Sequence, residues 1–595
     1  MRFKSQLKNG YRIYAVAGIN TISFAIDGGK ADKKGLLGFS VEREDSKEKR
    51  FLDGFKVFKE VIPHPNKNVT VSTYDHPVQS FVWDDFTAKP NTRYSYDFYP
   101  VKGKPKKLIH KGPIRIEVKT EPLYSDLEHD VFFNRGVVSS QAYERRFENI
   151  PPDKIPDPKK KKAAFQWLSR ELDDAILKFI NSAEKGDTLL GCFYEFRYLP
   201  VVQAFKDAAD RGVNVKIIVD AKNNEHTDKK GKFHESFPRT ENLKAIAAAK
   251  LSLTENIVKR EANRNDIQHN KFCVHIGKGD PQASQVWTGS TNISEGGIFG
   301  QTNVGHWIRN HEAAEKYRIY WDILSKDPGA NTDDNATNRK ANDEFKKKVI
   351  ALTPDIEKGG IANLPLGVTP LFSPRKGAKV LESYAAMVDT AEKSAAITLA
   401  FGIGKIFKDL LSDNTSQSQI IFMLLEKQDK PDKRSKTPFL KLGAKNNVYQ
   451  AFGAYIDDPV YKFARETNNR ILGLNKHVSY IHSKFLLMDP LKDVPVVVTS
   501  SANFSEASTS SNDENMVVIK GDKRVADIYF TEFNRLFNHY YFRSVHQQMK
   551  QRGTDDPDQD VFLQTNGEWL EKYKKGKFRH KRIQMYAGME GTVKV

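Results

Sequence analysis

The stretch SYIHSKFLLMDPLKDVPVVVTSSANFSEAS, residues 479–508, sets a histidine and a lysine two apart in an apolar run. A plain buried strand would carry Val, Ile or Leu there, because a buried cation needs a partner. On a strand, residues i and i+2 point to the same face, so His482 and Lys484 project together, and the following strand can deliver Asn503 beside them. An earlier segment repeats the arrangement, with IQHNKFCVHI at 267–276 and WTGSTN at 287–292. His269 and Lys271 recur as His482 and Lys484, and GSTN at 289–292 recurs as SSAN at 500–503. The histidine-to-asparagine separation is 23 residues in one copy and 21 in the other, a difference one loop absorbs. A single His-x-Lys is a weak signal; its recurrence with a following Asn is a strong one. Four cations or potential cations brought to one place call for an anion, and a phosphate is the obvious one.

Around these segments the chain alternates. Residues 163–183, AAFQWLSRELDDAILKFINSA, have apolar positions at helical spacing and predict one helix. DTLLGCFYEF, LPVVQAFKDAADRG and VNVKIIVDA then read as strand, helix and strand, with Gly212 at the helix end. The order returns at 379–394, SAAITLAFG, KIFKDLLSD and SQIIFMLLE, which predicts two related lobes, each a mixed sheet flanked by helices. Residues 325–344, polar and poor in large apolar side chains, are expected to be a boundary or mobile loop. Residues 1–122 carry short alternating strands between Gly, Pro, Asn and Asp clusters, the pattern of an all-β sandwich, and KPNTRYSYDFYPVKGK resembles the late strands of fibronectin type III or immunoglobulin-like domains. The expected layout is a sandwich at 1–122, α/β lobes at 123–340 and 341–545, and a basic C-terminal extension at 546–595.

The two His-x-Lys segments are similar to the signature of the phospholipase D superfamily, His-x-Lys-x4-Asp followed by a Gly/Ser-rich strand bearing Asn. The second copy matches in full through Asp489, and the resemblance spans about residues 125 to 545. The first copy has Ile276 at the Asp position, and tyrosyl-DNA phosphodiesterases also lack that aspartate. The resemblance implies that His269 is a nucleophile forming a phosphohistidine and His482 the acid and then the base. Lys271, Lys484, Asn292 and Asn503 would hold the non-bridging oxygens, supported by Ser290 and Ser501, while Asp489 is structural. Glu514, eleven residues beyond Asn503, would cross to His269, and Gln301 or Asn303 would cross to His482. The expected site lies within one chain, further oligomerisation being left open, and needs no metal or other cofactor; the fifteen histidines show no zinc spacing, and His275 reads as a core or solvated residue.

At 595 residues the chain exceeds one core, and 39% hydrophobic with 28% charged residues is an ordinary globular balance. No run of about 18 apolar residues exists to cross a membrane, and the N-terminus lacks the apolar segment of a secretory signal, so a cytoplasmic protein without stable membrane insertion is expected. Cys192 and Cys273 sit in β-like apolar runs and read as core residues. The net charge of +19 favours polyanions. Lys159–Lys162 form a run that a solvated surface explains equally well. The segment 572–582 sets Lys572, Lys574, Lys575 and Lys577 around Tyr573 and Phe578, which fits phosphate contact with base stacking. The sequence reading is therefore a metal-independent nuclease, with DNA ahead of RNA as partner. Hydrolysis of phospholipid head groups, or polyanion binding by a degenerate site, are the alternatives.

Overall fold

A computed structural model describes residues 1–65, 69–136, 140–262, 267–330, 332–416, 418–430, 440–453, 480–551 and 561–594. Two seven-stranded mixed sheets dominate it. The first runs in the order His129–Phe133, Val304–Ile308, Gln285–Gly289, Lys271–Ile276, Thr188–Phe193, Asn214–Asp220, Ile257–Arg260. The second runs Gly367–Ser373, Glu514–Lys520, Val496–Ser500, Phe485–Met488, Ser394–Leu399, Ile420–Leu425, Val448–Phe452, the same order place for place. In both, the central strand pairs parallel with the strand after its crossover helix and antiparallel with the His-x-Lys strand. These central strands are almost wholly apolar because helices or the other sheet cover both faces.

The lobes share one core. Ile218 and Phe272 of the first sheet belong to the same buried cluster as Phe422 and Leu487 of the second, with Tyr529, Phe533 and Phe537 of the helix Lys523–Gln551 among them. Backbone bridges join the lobes beside each histidine. The amide of His269 donates to the Asp513 carbonyl at 2.9 Å, and the amide of Thr302 donates to the Tyr480 carbonyl at 2.7 Å.

The N-terminal region is β-rich, as the alternation predicts, with two sheets enclosing Phe24, Tyr96 and Phe98. Three expectations change. The segment 163–183 forms two helices, with Pro158–Ser169 and Leu172–Asn181 separated by left-handed Arg170 and Glu171, φ 43° and 67°. The buried Arg170 guanidinium, bonded to Glu532 at 2.8 Å and to the Phe133 carbonyl at 3.1 Å, draws the chain inward there, which helical periodicity cannot register. Within 325–344, Asn335 caps a helix, Ala336–Ala351, and Asp327 takes the guanidinium of buried Arg260 at 2.6 Å; only Phe345 and Val349 of that helix are buried, so its composition reads as loop.

The third change is in the C-terminal segment, where 561–594 returns to the rest of the fold. Val593–Lys594 pairs parallel with Arg2–Lys4, and Trp569 stacks on Phe81. The Tyr573 hydroxyl meets Ser80 Oγ at 2.9 Å, and Phe578 packs 4.1 Å from Tyr449. Both rings are spent on the fold and are not presented to bases. Lys572, Lys574, Lys575 and Lys577 remain exposed.

Candidate active site

Each His-x-Lys pair sits at the mouth of its strand, where the two sheets face each other. His269 and Lys271 enter Lys271–Ile276, and His482 and Lys484 precede Phe485–Met488. All four side chains are buried, as are Asn292, Asn303 and Glu514. Lys271 Nζ donates to the His269 carbonyl and Lys484 Nζ to the His482 carbonyl, both at 2.6 Å, so the copies hold their lysines identically.

The partners across the seam differ by a charge. His269 Nδ1 lies 2.9 Å from Glu514 Oε2, and His482 Nδ1 lies 2.9 Å from Asn303 Oδ1. Each imidazole thus has Nδ1 committed across the seam, which orients the ring and directs Nε2 away from that partner. Of Gln301 and Asn303, the geometry gives Asn303 to His482; the Gln301 backbone carbonyl instead accepts from Asn134 Nδ2 at 2.5 Å, at the end of the turn Gly296–Gly300. Asn134 also fixes Asn303, accepting its backbone N–H at 2.7 Å.

The serines face inward. Ser290 Oγ donates to Asn303 Oδ1 at 2.8 Å, and Ser501 Oγ accepts the Asn515 backbone N–H at 3.0 Å, so both hydroxyls brace neighbouring strands. Asn292 Nδ2 donates to Glu195 Oε1 at 2.9 Å. The side-chain oxygens of Asn292 and Asn503 are buried with no hydrogen-bond partner among the described residues.

Burial is the leading cause of the pKa shifts of the two lysines and the two histidines. It lowers Lys271 to about 7, against the pull of Glu514, and lowers Lys484 well below the ordinary lysine value, with Lys271 adding repulsion. Burial and Lys271 keep His269 below the usual imidazole range, and burial with Lys484 and Lys271 depresses His482 further. Burial alone would raise Glu514, yet His269 and Lys271 hold it below the usual carboxylate range. A negative phosphodiester would reverse the trend for the cations, which makes this a strong anion site.

Asp489 accepts the backbone N–H groups of Glu392 and Lys393 at 2.7 Å and of Ser394 at 3.0 Å, where the central strand begins, and so clamps that strand. The first lobe, with Ile276 at that place, makes the same clamp from the opposite strand. Asp187, just before Thr188–Phe193, accepts from Lys278 N and Glu184 N at 2.8 Å and bonds His275 Nε2 at 2.9 Å. Asp187, Glu195, Tyr194 and Asn134 did not emerge from the sequence, since none recurs in the second copy.

The family model described as "Cardiolipin synthase, PLD-like domain" matches residues 176–322 and 387–537, half of the chain and both copies of the site. The chain belongs to the phospholipase D-like family. Membership places it in a superfamily of phosphodiesterases with two such repeats in one chain. Among solved structures it is similar to phosphatidylserine synthase from Haemophilus influenzae Rd KW20, at 11% identity over 67% of this chain and 94% of that one, TM-score 0.38. It is also similar to Nuc, a phospholipase D family member from Salmonella typhimurium, at 22% identity over 25% of this chain and 84% of that one, TM-score 0.19. NucT from Helicobacter pylori matches at 13% identity over 29% of this chain and 96% of that one, TM-score 0.20. No curated protein matches the sequence. Among the described residues no group of three or more His, Cys, Asp or Glu side chains is placed to hold a metal ion, and no helix is long and apolar enough to cross a membrane.

Proposed function

We propose that this phospholipase D-like chain is a nuclease that cleaves a phosphodiester through a covalent phosphohistidine on His269. The observation that carries the assignment is the pairing of His269 with the carboxylate of Glu514 and of His482 with the amide of Asn303. A carboxylate on Nδ1 supports the positive charge that the imidazole gains when Nε2 attacks phosphorus; an amide oxygen supports it less. In the first step the His269 Nε2–P bond forms, the P–O bond to the leaving group breaks, and protonated His482 gives its Nε2 proton to that oxygen. In the second, His482 takes a proton from water, the water oxygen bonds phosphorus, and the Nε2–P bond breaks. Lys271, Lys484, Asn292 and Asn503 stabilise the non-bridging oxygens through the trigonal-bipyramidal transition state.

Nucleic acid is favoured by the net charge of +19 and by the exposed Lys572, Lys574, Lys575 and Lys577, which offer phosphate contacts without the base stacking expected of Tyr573 and Phe578. The description of the matched family model favours phospholipid as a second reading. Incubation of purified protein with labelled DNA, labelled RNA and phosphatidylcholine vesicles in excess EDTA separates them. Cleavage of a nucleic acid is expected; hydrolysis of lipid alone selects the second reading, and dependence on added Mg²⁺ or Zn²⁺ overturns the mechanism. His269→Asn should abolish adduct and product, whereas His482→Asn should accumulate adduct on substrates with a good leaving group. Label trapped on His482 in the His269 variant would reverse the roles.

A further inference from the structure

The two sides of the site are built from unlike residues. In the first lobe Phe193 pairs with Lys271, and the central strand runs on into Tyr194 and Glu195. The Tyr194 amide donates to the Asn270 carbonyl at 3.0 Å. Its ring lies 5.0 Å from the His269 ring and 5.4 Å from Lys271 Nζ, and Glu195 reaches Asn292. That side is closed by a half-buried aromatic already in use and by a carboxylate. In the second lobe Ile397 stands opposite Leu486, and extending this antiparallel register sets Leu399 opposite Lys484, the place of Phe193. Ala400 therefore takes the place of Tyr194, and Phe401 that of Glu195. Ala400 brings no ring against His482. Phe401 is 74% exposed, the most exposed large apolar side chain among the described residues, at the position from which its counterpart reaches the site asparagine.

We propose that Phe401 is a specificity-determining residue, the platform on which the nucleobase carried by the leaving oxygen stacks. The inference rests on the nuclease reading and on the role of His482. The group that gives a proton to the leaving oxygen stands in the second lobe, so the leaving nucleoside lies on the Ala400–Phe401 side. A flat, exposed apolar face on the lobe that carries His482 and Lys484 suits a planar base next to a held phosphate, and base–aromatic stacking accepts any base. The small polar alcohols released from phospholipids gain nothing from such a face.

The test uses dinucleoside monophosphates, each with one cleavable linkage, compared with analogues in which hydrogen replaces the base of the leaving nucleoside. For the intact chain, kcat/KM should favour the full dinucleotide by roughly tenfold, the scale of one stacked base. In Phe401→Ala the ratio should fall toward one, and in Phe401→Trp it should be retained; a loss carried in KM fits stacking in the bound state. A ratio that persists in Phe401→Ala, or follows the base on the other nucleoside, overturns the assignment while leaving the nuclease reading intact. Failure to cleave any dinucleotide or longer nucleic acid, with lipid hydrolysis instead, overturns both.

Discussion

Glu514 and Asn303 stand at the same offset from Asn503 and Asn292, yet one is an anion and the other is not. If that difference sets the roles, Glu514→Gln should slow formation of the His269 adduct by about a hundredfold, the scale of an unassisted proton or charge step, while altering substrate affinity little. Single-turnover trapping measures it, and an unchanged rate would remove Glu514 from the nucleophile's activation. Lys271 supplies a pH dependence. With its ammonium lowered to about 7, Lys271 is charged below that pH and loses its charge as pH rises through it. Inorganic phosphate should therefore raise the unfolding temperature more at pH 6.5 than at pH 9, and Lys271→Met should flatten the difference; equal protection at both pH values would contradict it. The two histidines, two lysines and two asparagines were legible in the sequence because they recur. Tyr194 and Glu195 were not, because their counterparts are Ala400 and Phe401 and no repeat betrays them.

At the level of elements, each central strand is clamped to its His-x-Lys strand by one carboxylate. Asp489→Ala would leave three backbone N–H groups without their acceptor, a cost of about 3 kcal/mol at roughly 1 kcal/mol each. A lower urea midpoint at unchanged slope is the expected result, and a midpoint within error of the parent would deny Asp489 its structural role. The periodicity of strands and helices was readable because burial on both faces leaves apolar runs such as IIFMLL. The break at Arg170 and the helix Ala336–Ala351 were not, since the first depends on Glu532, 362 residues away, and the second buries only two side chains.

Over the whole molecule, Arg2 binds the parts together. Its buried guanidinium bonds Asp527 Oδ1 at 2.8 Å and the carbonyls of Pro490, Leu491, Lys492 and Glu590 at 2.7–2.9 Å, joining the sandwich, the second lobe and the C-terminal segment. Arg2→Ala would leave buried Asp527 with only the N-terminal ammonium, 3.2 Å away, as its ion partner and should cost about 3 kcal/mol, shifting the unfolding of the sandwich and the second lobe together in calorimetry. Two separate transitions with only one displaced would show that Arg2 does not couple them. Neutralising Lys572, Lys574, Lys575 and Lys577 should lower the salt slope of nucleic-acid binding by about one for each phosphate these lysines no longer neutralise, measured by titration from low to high salt. A parent slope retained in full would assign phosphate binding to other cations of the chain. This return of the C-terminus was invisible in sequence because the pairs it makes, Trp569 with Phe81 and Val593 with Phe3, join the two ends of the chain.

The exchange of the clamping aspartate between strands bears on how the two halves have parted since they were alike. Grafting 480–489 over 267–276 would set a second carboxylate where Thr188 pairs with Ile276, beside Asp187, while the reciprocal graft would leave the start of Ser394–Leu399 with none. Each lobe has settled on its own solution to one mechanical need, and neither half can any longer serve as a replacement part for the other without a compensating change on the neighbouring strand.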